Sequence, residues 1–455
     1  MLESMTSDRD GAVPITPVGE KELPGWLDAH PEHREWIAGV GFKAEPGTFA
    51  FVAGSGRRST AILAAPCEGQ PIWAFAGLPT ALPEGTYAID ANEDASLTDA
   101  ALGWALGSYA FTRYRKAKRA PATLVWPVGA DRAEVERIAG AVFMARDLIN
   151  TPAEDMGPEQ LADAALAVAG KHGAASRIVK GDELLEQNYP TIHIVGRASS
   201  RAPRLIDLRW GDERAPKVTL VGKGVCFDSG GLDLKSREGM LEMKKDMGGA
   251  AVMLGLADAL MAANTPIRLR LLIPAVENSV SGNAVRPRDI VRTRSGKTVE
   301  IGNTDAEGRL ILCDALGDAD RERPDLLVDC ATLTGAARVA LGPELQALFC
   351  DDDALAGGLL KAGAEVGDPL WRLPLWRPYR KLIDSKCADL NNVSQGQFAG
   401  SIIGALYLAE FVSASTSWAH LDIMASNTTA RPGRPEGGEA TAMRALYAYI
   451  RQRYG

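Results

Sequence analysis

Lys217-Val218-Thr219-Leu220-Val221-Gly222-Lys223-Gly224-Val225-Cys226-Phe227-Asp228-Ser229-Gly230-Gly231 reads as a strand that empties into a glycine-rich loop carrying a lysine and an aspartate. Working outward, further strand candidates fall at 191–196, 204–209, 268–275, 298–302 and 325–330. Helical patterns at about 245–263 and 306–320 lie between them. Strands that alternate with helices predict a mostly parallel or mixed sheet flanked by helices. In such a sheet, functional residues gather at the strand ends.

A second stretch lies downstream: Asn303-Thr304-Asp305-Ala306-Glu307-Gly308-Arg309-Leu310. Between the two come Lys235 and Met243-Lys244-Lys245-Asp246-Met247-Gly248-Gly249. Buried carboxylates are costly unless paired or bound to metal. Acids set among glycines and apolar residues therefore point to divalent cations. Glycine lets a backbone come close to an ion. Asp246 falls at the start of a helix, and Asp305 and Glu307 at the lip of another. Side chains two apart in an extended segment face the same way, so both can reach one site. Helix-capping carboxylates are the plainer reading of any one of these acids alone.

The five histidines show no H-E-x-x-H pattern, and the six cysteines show no C-x-x-C pair. That argues against a cysteine-ligated structural zinc. An oxygen-rich site remains, suited to Mn, Mg or carboxylate-bound Zn.

The chain resembles the cytosolic leucyl aminopeptidases, a two-metal exopeptidase family whose hallmark is N-T-D-A-E-G-R-L. The likeness also rests on Arg146-Asp147-Leu148-Ile149-Asn150-Thr151-Pro152-Ala153, Ala331-Thr332-Leu333-Thr334-Gly335-Ala336, Ala388-Asp389-Leu390-Asn391, Gly400-Ser401-Ile402 and Trp418-Ala419-His420-Leu421-Asp422. It covers roughly residues 140–455, with the motifs in family order. The resemblance implies two divalent ions per subunit (Mn or Zn, with Mg a third candidate), bridged by Asp228 and Glu307. Asp305 would complete one metal site; Lys223 and Asp246 would complete the other. Lys235 would stabilise the tetrahedral intermediate, and Arg309 would hold a bicarbonate that acts as general base. A hydroxide bridging the metals would attack the peptide bond of a substrate with a free N-terminus. Asn303, Thr332 and Gly335 would hold the substrate backbone, and Met243 and Thr332 would line the specificity pocket. The resemblance also implies a homo-hexamer. Lys223 can serve as a metal ligand only as a neutral amine; an ion pair with Asp228 is its plainer reading. Likewise Arg309 reads otherwise as a partner of Glu307 or as a helix-surface charge. Where many relatives read D-I-A-G, this chain has Asp422-Ile423-Met424-Ala425, a larger side chain near the pocket. Residues 431–438 also depart from the common pattern.

Length and composition fit two domains: 455 residues, 46% hydrophobic and 24% charged. The expected division is a loose tail over 1–20, a small N-terminal α/β domain over 21–130, a linking helix over 131–150 and a catalytic metallopeptidase domain over 151–455. In the N-terminal part, 49–52, 61–63, 72–75, 87–89 and 122–126 read as strands and 97–115 as a helix. A formal net charge of −8 disfavours nucleic acid as a partner. No apolar run approaches the ~18–20 residues that would span a membrane. The first residues carry no secretory pattern, and scattered cysteines predict reduced thiols and a cytoplasmic location.

Some features are false leads. Gly296-Lys297-Thr298 mimics the end of a Walker A motif, but Val291 stands where its first glycine belongs. Gly222-x-Gly224 has Phe227 in place of the third glycine of a dinucleotide fingerprint. His420 and Cys226 read as packed side chains, and Arg113, Arg115, Lys116, Lys118 and Arg119 as a solvated helix end. Two other functions compete with an aminopeptidase: a metal-dependent phosphoester hydrolase, and a DNA-binding accessory factor of the kind some members of the family also are.

Overall fold

The central strands of the larger unit are nearly unbroken apolar runs, which belong to a sheet covered on both faces. Val218, Leu220 and Val221 are buried, as is the whole of Leu326–Ala331. In a computed structural model, which describes residues 2–53, 61–65, 70–90 and 96–455, these strands form one mixed sheet. Its order is Leu370–Arg372, Gln346–Phe349, Trp418–Asp422, Leu326–Ala331, Lys217–Gly222, Arg268–Asn278, Arg204–Trp210 and Ala175–Lys180. The four strands from Trp418–Asp422 to Arg268–Asn278 run parallel to one another. Gly224–Asp228 also pairs in parallel with Arg268–Asn278. Asp228 thus ends a strand, where the sequence placed it in an exit loop.

Helices cover this sheet. Gly248–Ala262 is apolar on every face except at Asp258, which pairs with Lys171, and it is buried from Gly248 to Met261, as befits a helix inside a core. A short 3₁₀ turn, Met243–Met247, precedes it and carries Asp246. Glu307–Arg321 starts on Glu307, and Pro158–His172 has proline at its first position.

The smaller unit has its own sheet: Met5–Thr6, Thr123–Val125, Thr86–Ile89, Val13–Pro17, Ala61–Ala64 and Phe49–Val52, in that order. By packing, this unit comprises Met1–Phe143 with Thr429–Glu436, and the larger one Met144–Thr428 with Gly437–Gly455. Within the smaller unit, Arg434 lies over the Trp73 ring at 4.3 Å.

The structure corrects several sequence readings. Residues 1–20 are not a loose tail. Val13–Pro17 pairs with strands on both sides, and Ile15 is fully buried. Two prolines and many polar neighbours hid the apolar alternation. The expected strand at 191–196 is the helix Pro190–Gly196. Its Ile and Val content favours a strand, but Pro190 sits at the first turn and the Asp314 carboxylate accepts a hydrogen bond from the Thr191 N–H at 2.9 Å. Residues 71–73 form a 3₁₀ turn in place of a strand. The helix expected over 97–115 ends at Gly107, so the basic residues 113–119 lie beyond it in irregular chain. Cys67 lies outside the described residues.

Candidate metal centre

The exits of the parallel strands bring distant acids together. Lys217–Gly222 leads to Lys223, Leu326–Ala331 to Thr332, and Trp418–Asp422 ends on Asp422. Gly230 (φ 89°) and Gly231 (φ 68°) turn the chain back after Asp228. Both backbone angles favour glycine. A side chain at Gly230 would also meet the Asp233 carbonyl at 2.5 Å. Asp233 fastens this turn to the second motif, because its carboxylate accepts from the Thr304 N–H at 2.7 Å. Asp305 and Glu307 are thereby delivered opposite Asp228. Oxygens of Asp228, Asp305 and Glu307 come within 4.8 Å of one another, an arrangement able to hold a metal ion.

Two ammonium groups stand among four carboxylates. Lys223 Nζ is 2.7 Å from Asp246 Oδ2 and 3.0 Å from Glu307 Oε1, and it donates to the Thr332 carbonyl at 2.9 Å. Lys235 Nζ is 2.8 Å from Asp228 Oδ2 and 2.5 Å from Asp305 Oδ1. The sequence pairing of Lys223 with Asp228 is therefore corrected: Lys235 takes that carboxylate. Asp228 Oδ1 is held by the Gly230 N–H and by Asn278 Nδ2 at 2.8 Å. Thr332 Oγ1 donates to Asp246 Oδ1 at 2.7 Å.

The group fits divalent cations. Asp228, Asp246, Asp305 and Glu307 against Lys223 and Lys235 leave a formal surplus of two negative charges. Lys223, Asp228, Asp246 and Glu307 are all buried. Asp246 Oδ2, Asp305 Oδ1 and Glu307 Oε1 are buried and lack an aligned hydrogen bond, although lysines lie at ion-pair distance. Uncompensated buried charge is expensive, and hard oxygen donors suit Mn, Mg or carboxylate-bound Zn. The strain shows in proton affinities. Burial and then Asp228 push Asp305 up to about 6. Burial and then Asp228 also push Glu307 well above the usual carboxylate range. For Lys223, burial favours the neutral amine, but Asp246, Glu307 and Asp228 outweigh it and hold the proton on. The neutral amine that metal ligation would require is thus not favoured while only carboxylates surround it.

One cavity of about 390 Å³ is lined by Lys223, Asp228, Lys235, Met243, Asp246, Asp305, Glu307, Thr332 and Gly335, together with Met424. Asn303 and Arg309 are not among its lining residues. Asn303 Oδ1 accepts from the Asp305 N–H at 2.7 Å and shapes the loop. Arg309 is buried behind; its Nη1 donates to the Asn392 carbonyl at 2.7 Å, and its Nε has no partner. Its guanidinium makes no ion pair among the described residues, and burial lowers its proton affinity. Neither Glu307 nor the helix surface takes its charge.

Three residues of the site were missed as individuals. Asn392, fully buried, accepts from the Gly302 and Asn303 N–H groups and donates to the Asn303 carbonyl at 2.7 Å. Asn278 ends a strand against Asp228. Asp422 gathers Leu333 N, Thr334 N, Thr334 Oγ1 and Ser401 Oγ. A polar residue at the end of an apolar strand was the available signal for Asn278 and Asp422. His420 proves to be structural, with Nδ1 2.6 Å from Asp329 and no exposure. Cys226 is a buried thiol whose proton burial holds on.

A family model described as the catalytic domain of the cytosol aminopeptidase family matches residues 143–447. A second, described as "M17 aminopeptidase, N-terminal domain", matches residues 13–127. Among solved structures, the chain is similar to a cytosol aminopeptidase from Coxiella burnetii, with TM-score 0.95, 49% identity and 99% of each chain covered. It is also similar to the bottromycin maturation enzyme BotP in complex with Mn, with TM-score 0.87, 34% identity, and 97% of this chain and 100% of that one covered. Among curated proteins, it is 40% identical to a probable cytosol aminopeptidase of Geotalea uraniireducens over 78% of this chain and 75% of that protein. It is 44% identical to Peptidase B of Pectobacterium carotovorum over 71% of this chain and 77% of that protein.

Proposed function

The chain belongs to the cytosol aminopeptidase family, and we propose on that premise that it removes the N-terminal residue from peptides and amino-acid amides through the buried carboxylate centre. Metal-dependent peptide hydrolysis is the family's chemistry. The observation that carries the detailed reading is the surplus of buried negative charge held by Asp228, Asp246, Asp305 and Glu307 at the strand exits.

In this reading, Asp228, Asp246, Asp305 and Glu307, together with Lys223 as a neutral amine, would hold two divalent ions. When bound, the ions would supply Lewis acidity and a nucleophile at neutral pH. Manganese is one candidate, as BotP was solved with Mn. Lys235 keeps its proton, because the carboxylates of Asp228 and Asp305 outweigh its burial. It is therefore placed to donate to the scissile carbonyl oxygen as that oxygen gains charge, the kind of electrostatic help that contributes most to acyl-transfer rates. Arg309, a buried guanidinium without a carboxylate partner, would hold a bicarbonate as general base; the orphaned Nε supports an anion there. Thr332 and Gly335 would guide the substrate backbone, with Asn303 acting through the loop it shapes. Met243 and Met424 would line the side-chain pocket.

A homo-hexamer in the cytoplasm is part of the same proposal. Exposed Trp371, Trp376, Val339 and Phe398 support assembly, and free thiols at all five described cysteines support a reducing compartment. The test is leucinamide against N-acetyl-leucinamide, assayed on metal-stripped and manganese-restored protein. Only the restored protein should turn over, and only on the free amine. Equal turnover of the blocked amide would overturn the reading.

A further inference from the structure

Asn392 grips the second motif at both of its ends. It is fully buried and follows the short strand Leu390–Asn391, which pairs in parallel with Thr298–Glu300. Its N–H donates to the Glu300 carbonyl at 3.0 Å and so continues that pairing past the strand. Its side-chain amide spends its whole hydrogen-bonding capacity on the loop that follows. Oδ1 accepts from the Gly302 N–H at 2.7 Å and from the Asn303 N–H at 3.2 Å. Nδ2 donates to the Asn303 carbonyl at 2.7 Å and to the Ala306 carbonyl at 3.4 Å. Its main-chain carbonyl accepts from Arg309 Nη1 at 2.7 Å, the one hydrogen bond of that guanidinium among the described residues. The two segments pack closely. A Cβ on Gly302 would stand 2.7 Å from Val393 Cγ2, and closer still to Asn391 Oδ1.

The loop held in this way carries Asp305. Asn303, gripped at its N–H and its carbonyl, uses its own Oδ1 to accept from the Asp305 N–H. Arg309 lies two residues past Glu307 on the helix that the loop opens. A buried guanidinium tied to a neutral carbonyl, with the Tyr407 ring 5.9 Å away, keeps its charge for an anion. Resting on the aminopeptidase reading, we propose that Asn392 is a positioning residue that fixes Asp305 and Arg309 in one frame. The metal-binding loop and the anion-holding group then keep a set separation. No other side chain repeats these contacts. Aspartate keeps the acceptors and loses both donors, glutamine is a methylene longer, and alanine strips the Gly302, Asn303 and Ala306 backbone groups of this partner. The tie to Arg309 survives any substitution, because it is made by the main chain; what changes is where that carbonyl stands. A solely structural residue would alter stability and leave the centre of the folded protein as it was.

The experiment compares wild type, N392A and N392D, each checked for fold by circular dichroism. It measures the melting temperature without metal, the manganese affinity of stripped protein well below that temperature, and kcat and KM for leucinamide after loading. Both variants should bind manganese about 10- to 100-fold more weakly, the usual cost of losing a group that orients a metal ligand. At saturating manganese they should lose a similar factor in kcat, with KM within about twofold of wild type. A double-mutant cycle locates the effect. In an R309M background, N392A should lower kcat by a much smaller factor, because the group it positions is already gone. It should still weaken manganese there as it does in the wild type, because Asp305 remains. If manganese affinity or kcat stays within about twofold of wild type in both variants while only the melting temperature falls, Asn392 is structural and the proposal is overturned. Fully additive losses in kcat with R309M overturn it too. Should N392A not fold, N392D and its own cycle with R309M decide. A wild type that binds manganese but cleaves no free-amine substrate overturns the aminopeptidase reading; full turnover in the variants beside an active wild type overturns this proposal alone.

Discussion

Gly308 shapes the centre by what it lacks. A Cβ there would stand 2.5 Å from Lys223 Cε and 2.8 Å from its Nζ, so only glycine lets the lysine lie across the start of the helix. Gly308→Ala should cost about 1–3 kcal/mol through overpacking and displace Lys223, lowering both melting temperature and metal content; normal metal loading would show that the lysine is not seated there. Lys235→Met should retain metal, yet lose on the order of 10²–10³-fold in kcat, the usual worth of a donor to a developing oxyanion. Unimpaired turnover would remove Lys235 from the chemistry. Much of this centre was legible in the sequence, because acids among glycines and apolar residues have few inexpensive fates. The supporting residues were not. Asn392 meets Arg309 across 83 residues of chain, and Asn278 meets Asp228 across 50. No local pattern announces such a partner.

At the level of elements, long apolar runs announced themselves. Lys217–Gly222, Arg268–Asn278 and Leu326–Ala331 fall where the sequence placed strands, and Arg132–Asn150 and Glu307–Arg321 where it placed helices. Short elements whose conformation is set by a tertiary partner did not, as the helix Pro190–Gly196 shows with its Asp314 carboxylate. A second tertiary tie joins the helix ending at Asn150 to the chain after Gly437. Arg146, 1% exposed, reaches Glu439 through Nε at 3.1 Å and Nη2 at 3.0 Å. Burial alone would raise the Glu439 affinity for a proton, but Arg146 and further donors lower it below the ordinary value. A depressed carboxylate stabilises the fold above its unfolded pKa, about 4.3, and that contribution is lost as pH falls through the folded value. Glu439→Gln should therefore cost about 3–5 kcal/mol at neutral pH and flatten the acid limb of the melting curve. An unchanged acid limb would show that the pair does not set it.

For the whole molecule, the excess negative charge makes stability depend on cations. Chelation should lower the melting temperature, and manganese at ~100 times its Kd should return about 2.7 kcal/mol. Light scattering should give six times the 48.4 kDa chain mass if the assembly is a hexamer; a monomer at working concentration would contradict it. The most direct test counts ions. Metal-stripped protein is restored with manganese, freed of excess, and assayed for bound metal and leucinamide hydrolysis, beside Asp246→Ala and Glu307→Ala. The account predicts two ions per chain in the wild type with activity that follows loading, and fewer ions with no turnover in either variant. Full turnover by protein carrying no metal, or undiminished loading in both variants, would contradict it.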